Sequence, residues 1–165
     1  MSLLNRRTGY FAIFLACAGM MAFALFLQHY RYLNPCPLCI FQRVCVITVG
    51  GVALLAGLHN PKSTLGIRVY SALSTLAALA GLAIAARHAY IQTLPPSEVP
   101  TCGPGLNFML DSMPFTQVLQ KVLFGSGECA LVDWSLLGIS LPAWVAIACA
   151  GLALACYWLG FKARR

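Results

Sequence analysis

The sequence has few charged residues, and acidic residues are the scarcest. Only 9% of its 165 residues are charged and only four are acidic, whereas soluble domains average about 25% charged residues. This shortage excludes an ordinary soluble domain. The net charge of +7 does not indicate a nucleic-acid partner, because the basic residues are spread over the ends of apolar runs and form no cluster with interleaved aromatic residues.

Hydrophobic residues make up 60% of the chain, and four runs are near the ~20 residues that a membrane-spanning helix needs. Backbone polar groups in lipid must be satisfied internally, so each run is predicted to be helical. We predict one integral membrane domain, an all-α, four-helix transmembrane antiparallel bundle. The predicted spans are residues 8–28, 40–58, 67–86 and 141–161.

Basic residues in the short flanking segments predict the orientation of the bundle. Both termini are predicted to be cytoplasmic, and the loops over about 29–39 and 87–140 to face outward. All four acidic residues lie on this outer side, which is expected to be a compartment where disulfides persist. The basic residues assigned to the inner side are Arg6, Arg7, Lys62, Arg68, Lys162, Arg164 and Arg165.

A short amphipathic helix is predicted within the longer outer loop. Its apolar residues recur at helical spacing on one face, and polar residues take the other. Such a helix beside a membrane either lies flat on the membrane surface or packs on the top of the bundle. The apolar face comprises Phe115, Val118, Leu119, Val122 and Leu123.

The eight cysteines fall into two groups. Four lie inside the apolar runs and are predicted to be inert packing residues, since cysteine is a common small buried residue. These are Cys17, Cys45, Cys149 and Cys156. The other four, which lie at the outer ends of spans or in the outer loop, are the candidate catalytic residues: Cys36, Cys39, Cys102 and Cys129.

The first outer pair forms a Cys-x-x-Cys motif, Cys36-Pro37-Leu38-Cys39. Proline is tolerated only before a helix or in its first turn, so the second span is predicted to begin at this motif. Cys39 would then lie at a helix N-terminus, where the helix dipole favours the thiolate. Arg43, four residues later, reaches the same helical face. The motif predicts redox chemistry; the alternative is a structural disulfide with an interfacial arginine.

The second outer pair, Cys102 and Cys129, is widely separated in sequence. A zinc site normally takes four ligands at closed spacing, such as two Cys-x-x-Cys motifs, so no metal is predicted. A disulfide closing this loop could be structural, with a stabilisation of roughly 3–4 kcal/mol. However, Cys102 lies among prolines and glycines, where a soluble protein could reach it, and exposed disulfides exchange readily.

At these motifs the chain resembles the DsbB family, bacterial inner-membrane disulfide oxidants. The resemblance covers nearly the whole chain. It comprises Cys36-Pro37-Leu38-Cys39-Ile40-Phe41-Gln42-Arg43, Thr101-Cys102, Gly125-Ser126-Gly127-Glu128-Cys129-Ala130, and the segment from Asp133-Trp134 to Leu141-Pro142-Ala143-Trp144.

The resemblance implies a multi-pass protein of the inner membrane that acts as a quinone-dependent protein-disulfide oxidoreductase. Its disulfides would be Cys36–Cys39 and Cys102–Cys129. A periplasmic DsbA-like partner would attack at Cys102, Cys129 would then attack Cys36, and Cys39 would pass electrons to ubiquinone or menaquinone from the membrane pool. The cofactor-binding residues would be Arg43 and His88, which follows Arg87 at the outer end of the third span.

Two other functions are compatible with the pattern of residues. A vitamin K epoxide reductase-like enzyme is also a membrane bundle with a Cys-x-x-Cys motif and a quinone, but there the motif should lie late in the chain. A non-enzymatic membrane subunit would use its disulfides only to fasten a loop. Arg43, one helical turn after Cys39, argues against the second alternative.

Overall fold

Four long apolar helices form the fold in the computed structural model, which describes residues 6–95, 97–99, 106–125, 127–132 and 134–162. By length and composition, each of the four can cross a membrane. The predicted all-α membrane bundle is confirmed, and three of the helices begin before and end beyond the predicted apolar runs. They are α1 (Arg6–Tyr30), α2 (Pro37–His59), α3 (Thr64–Ile91) and α6 (Leu141–Tyr157), the last continued by a π-helical turn, Trp158–Lys162.

In the residues that the structure describes between α3 and α6, here called the outer segment, the elements are all short. They are α4 (Leu106–Ser112), α5 (Phe115–Phe124), a 3₁₀ turn (Gly127–Ala130) and the antiparallel hairpin of β1 (Ser135–Leu136) and β2 (Ile139–Ser140). The predicted amphipathic helix is confirmed as α5. Its buried face packs on the top of the bundle, where Val118 and Val122 join a cluster with Leu38 and Ile91.

The turn between α2 and α3, which begins at Asn60-Pro61, makes these two helices antiparallel neighbours. Asn60 ends α2 in the left-handed conformation, with a φ of 46°, and its N–H donates to the Ala56 carbonyl at 2.9 Å. Asparagine tolerates this conformation better than most residues do. Ser63 caps α3, where its hydroxyl accepts from the Gly66 N–H at 3.1 Å, and such caps satisfy backbone donors at a helix start.

The helices pack in the order α1, α2, α3, α6, with extensive contacts between successive members of this series. Gly81 lets α3 approach both α2 and α6, since a Cβ there would lie 3.1 Å from Cys45 Cβ and 3.1 Å from Cys149 Sγ. Small residues permit this kind of close approach between membrane helices. By contrast, α1 and α6 have few close backbone contacts, although their side chains meet in one core cluster that includes Tyr10, Cys17, Cys149 and Cys156.

The end of the bundle that holds both chain termini has its own polar contact. The Tyr10 hydroxyl of α1 lies 2.8 Å from the Ser71 Oγ of α3 in a buried hydrogen bond. Ser71 also faces Gly160 of the π-helical turn, where an added Cβ would overlap Ser71 Cβ. The absence of a side chain at Gly160 therefore allows three segments to meet at this point.

We expect the substitution Gly160→Ala to destabilise the bundle, because the new Cβ has no room beside Ser71. Overpacking of this kind costs about 1–3 kcal/mol. The measurement is the thermal unfolding midpoint in detergent micelles. Gly151→Ala is the matched control, since nothing lies within 4 Å of its Cβ position. Equal midpoints for the two variants would contradict the close contact.

Candidate active site

The Cys-x-x-Cys motif forms the first turn of α2, as its prolines predict. Cys36 is the N-cap residue, and its sulfur accepts from the Cys39 N–H at 3.4 Å. Pro37 follows in the first turn, where the missing N–H leaves no hydrogen bond unmade. The two sulfurs lie 3.2 Å apart as a hydrogen-bonded thiol pair. Both thiols are therefore held at the N-terminus of a helix, which favours negative charge.

His88 of α3 lies between the motif and the outer segment, and it is buried, with 3% of its surface exposed. Its Nε2 is 3.8 Å from Cys36 Sγ, and its Nδ1 is 3.9 Å from Cys39 Sγ. The Gln42 amide nitrogen donates to Nδ1 at 3.2 Å. The ring hydrogen then lies on Nε2, which donates to the Cys129 carbonyl at 3.1 Å. One imidazole thus contacts α2 and the 3₁₀ turn at the same time.

Cys129 reaches the site on the 3₁₀ turn that follows α5. The side chain is buried, and Cys36, His88 and Cys129 place their sulfur and nitrogen atoms within 4.8 Å of one another. Gly125 begins the connection with a φ of 90° and a ψ of 159°, a region essentially restricted to glycine. An added Cβ there would overlap Ile91 Cδ1. This glycine brings the turn down onto the end of α3.

Arg43 lies on the wall of the same site, one turn after Cys39. Its guanidinium donates to Gln28 Oε1 at 2.5 Å and to the Ala24 carbonyl at 3.4 Å. Both acceptors belong to α1. The arginine is therefore held between α1 and α2, with a fixed positive charge beside a largely apolar cavity.

The cavity lies at the outer end of the bundle, on the side where α1 and α6 make few contacts. Its volume is about 130 Å³, and it is partly open to the outside. Cys36, Cys39, Arg43 and His88 line one wall. The apolar lining comes mainly from α1 and α6 and includes Met20, Met21, Leu27, Leu141, Pro142 and Val145.

The structure brings together five of the six site residues that the sequence indicates: Cys36, Cys39, Cys129, Arg43 and His88. Cys102 lies outside the described residues, so the predicted Cys102–Cys129 disulfide stays a prediction, as does the Cys36–Cys39 disulfide. Sequence reasoning missed Gln42, which is buried beside His88. The available signal was a polar residue in an apolar helix, one turn after Cys39.

Known proteins resemble this chain over most of its length. The sequence profile described as Disulfide bond formation protein DsbB matches residues 6–159. Disulfide bond formation protein B of Acinetobacter baylyi is 54% identical over 138 residues, 84% of this chain and 81% of the relative. The proteins of the same name from Azoarcus sp. and Chromobacterium violaceum are 47% and 48% identical, over 97% and 98% of this chain and 95% and 97% of their own.

We expect Cys36 and Cys129 to form a disulfide readily in a Cys39→Ala, Cys102→Ser background treated with oxidised glutathione. Adding Gly125→Ala should slow this reaction, because the strained backbone costs about 1–3 kcal/mol and the new Cβ meets Ile91. The measurement is the rate of disulfide formation, followed by peptide mapping. Gly138→Ala is the control, since Gly138 also has a positive φ but nothing within 4 Å. Equal rates in the two variants would show that Gly125 does not position Cys129.

Proposed function

This chain belongs to the DsbB family of inner-membrane disulfide bond formation proteins, and from this premise we propose that it transfers electrons from a periplasmic, DsbA-like thiol protein to a membrane quinone. Its coarser role, as a multi-pass membrane disulfide oxidoreductase, follows from the family and the four membrane-spanning helices. The observation that carries the finer proposal is the meeting of Cys36, His88 and Cys129 beside a cavity lined by Cys39, Arg43 and apolar residues of α1 and α6.

The proposed path begins at the outer disulfide, Cys102–Cys129. A thiolate of the reduced partner attacks Cys102, forms a mixed disulfide, and releases Cys129 as a thiolate. Cys129 attacks Cys36 in the Cys36–Cys39 disulfide, which forms a Cys36–Cys129 bond and releases Cys39 as a thiolate. The second partner thiol then displaces Cys102 from the mixed disulfide, and the partner leaves oxidised.

The last exchange restores the outer disulfide. Freed Cys102 attacks Cys129, the bond between Cys129 and Cys36 breaks, and the electron pair stays on Cys36 and Cys39 as two thiols. The approach of Cys129 to Cys36 supports this order of steps, because sulfur atoms within 4.8 Å need only a small movement to reach the S–S length of about 2.05 Å.

The cavity residues fit a quinone, since an apolar wall faces one fixed cation and the Cys39 thiol. Cys39, Arg43 and His88 would hold it. Bound there, a quinone would accept the two electrons and two protons of the reduced motif. Arg43 supplies donors for an oxygen that gains negative charge, and preorganised donors of this kind are effective where water is excluded.

The orientation of the proposed enzyme follows from its basic residues, with both termini in the cytoplasm and the cysteine-bearing segments in the periplasm. A lipid-soluble acceptor would reach the site between α1 and α6, whose residues line the cavity. A purely structural bundle would not require Cys129 to lie beside a second pair of thiols, so the non-enzymatic alternative has no support from the site.

Purified protein in detergent should oxidise a reduced DsbA-like protein in the presence of a soluble quinone analogue, with loss of quinone absorbance. Cys36→Ser, Cys39→Ser, Cys102→Ser and Cys129→Ser should each abolish turnover, whereas Cys45→Ala should retain it. The same assay on sealed spheroplasts tests the orientation, because the protein partner cannot cross the membrane. Full activity of Cys102→Ser would make the loop disulfide structural and the proposed path wrong.

Arg43→Met should raise the KM for the quinone analogue. A hydrogen bond to a charged group contributes about 1.5–3 kcal/mol, which corresponds to roughly ten- to hundredfold in affinity. Arg43→Lys should have a smaller effect, because it keeps the charge but loses the planar fork. Arg31→Met, which removes an exposed charge outside the cavity lining, is the control. An unchanged KM for Arg43→Met would place the quinone elsewhere.

A further inference from the structure

Three soft ligands from three separate elements converge in the outer end of the bundle. Cys36 comes from the start of α2, His88 from the last turns of α3, and Cys129 from the 3₁₀ turn, and their donor atoms lie within 4.8 Å of one another. All three residues are buried. The Cys39 sulfur lies beside this group, 3.2 Å from Cys36 Sγ and 3.9 Å from His88 Nδ1, but it is not among the donors that are all within 4.8 Å of one another.

From this convergence we propose that the fully reduced protein binds one zinc ion through Cys36, Cys129 and His88, with Cys39 as the fourth ligand. Three thiolates and one imidazole are a common ligand set for zinc in closed tetrahedral sites. Sequence separation argued against a metal, because Cys129 is far from the Cys-x-x-Cys motif along the chain. The fold removes that separation.

The distances fit the proposal. With Zn–S bonds near 2.3 Å and Zn–N bonds near 2.0–2.1 Å, two sulfurs on a tetrahedral ion lie about 3.8 Å apart, and a sulfur and a nitrogen about 3.5 Å. The Cys36–Cys39 sulfur distance is 3.2 Å, and Cys36 Sγ lies 3.8 Å from His88 Nε2. Shifts of under one ångström at these side chains would complete that part of the coordination shell.

The surroundings also suit such a centre. Zinc with three thiolates and a neutral imidazole carries one net negative charge, which the Arg43 guanidinium on the cavity wall partly offsets. Glu128 also lines the cavity. Its carboxylate is exposed, so water weakens its repulsion of the negatively charged metal centre. Gln42, beside His88 Nδ1, can accept from that nitrogen through its amide oxygen when Nε2 holds the metal. An acceptor for the second ring nitrogen orients the histidines of metal sites in this way.

Zinc binding forms metal–sulfur and metal–nitrogen bonds, releases one proton from each thiol, and transfers no electrons. It also breaks the hydrogen bond between His88 Nε2 and the Cys129 carbonyl. A metal-bound Cys36 and Cys129 cannot form a disulfide with each other. If the proposed function holds, zinc therefore inhibits the enzyme in its quinone-starved, fully reduced form, while the binding itself does not depend on that function.

The test uses the full-length protein in detergent micelles, reduced anaerobically with a phosphine that does not bind zinc strongly. Titration with Co²⁺ should give one equivalent of a tetrahedral visible spectrum with thiolate charge-transfer absorption, and Zn²⁺ should abolish both. Zinc affinity is then measured by competition with a chromophoric chelator. Quinone and the partner protein are absent, so failure of the proposed function and failure of metal binding give separate results.

The variants assign the ligands. Loss of a hydrogen-bond partner of a metal ligand weakens metal binding roughly 10–100-fold, and we expect Gln42→Ala to fall within that range. Loss of a ligand itself should weaken zinc binding by more, as in Cys36→Ser, Cys129→Ser and His88→Ala. His88→Cys, which restores a soft ligand, should recover the tetrahedral cobalt spectrum. Cys45→Ala and Cys102→Ser should bind as the unaltered protein does.

Two results would overturn the proposal. One is zinc affinity that is unchanged in both Cys129→Ser and His88→Ala. The other is a cobalt spectrum without thiolate charge transfer, or one that requires Cys102 and not His88. Binding that persists after the motif is oxidised would likewise assign the metal to other residues.

Discussion

The site depends on one buried hydrogen bond, from His88 Nε2 to the Cys129 carbonyl at 3.1 Å. The outer segment also packs on the bundle through a small apolar cluster and through hydrogen bonds from Arg87 to the Leu123 and Phe124 carbonyls. Breaking the bond from His88 to Cys129 would leave a buried donor and acceptor unpaired, with a free-energy cost of about 1–3 kcal/mol. This cost opposes displacement of the 3₁₀ turn. The same ring lies against both sulfurs of the Cys-x-x-Cys motif. His88 therefore contacts both halves of the site and helps to set the distance between them.

Many apolar side chains on the bundle surface are exposed because lipid, and not water, surrounds them. Large apolar side chains such as Leu15, Ile47, Leu76 and Leu154 are more than half exposed, which in water would be an aggregation hazard. In a bilayer they are solvated, and helix contacts depend on close packing at residues such as Gly81. The cavity beside Cys39 and Arg43 is lined by apolar residues of both α1 and α6.

The sequence predicted most of the fold because its signals are local. Apolar runs give the four helices, Asn60-Pro61 gives the turn, and Pro37 gives the start of α2. The spacing of Phe115 to Leu123 gives α5. The placement of Cys129 against Cys36 was not predictable from the residues alone, since it depends on how Gly125 and the 3₁₀ turn pack on Ile91. Family resemblance supplied that pairing. Gln42 was missed for the same reason, because its partner, His88, belongs to another helix.

The position of Cys36 also has a consequence for the order of events. Its sulfur lies 3.2 Å from Cys39 Sγ and within 4.8 Å of Cys129 Sγ, yet a divalent sulfur can bond to only one of them at a time. In the proposed path, Cys36 therefore acts as a two-position switch, bonded first to Cys39 and then to Cys129. A bond to Cys129 leaves Cys39 facing the cavity, and a bond to Cys39 leaves Cys129 facing the outer segment. Because the two bonds exclude each other, the Cys36–Cys39 disulfide would be absent whenever Cys129 is bonded to Cys36.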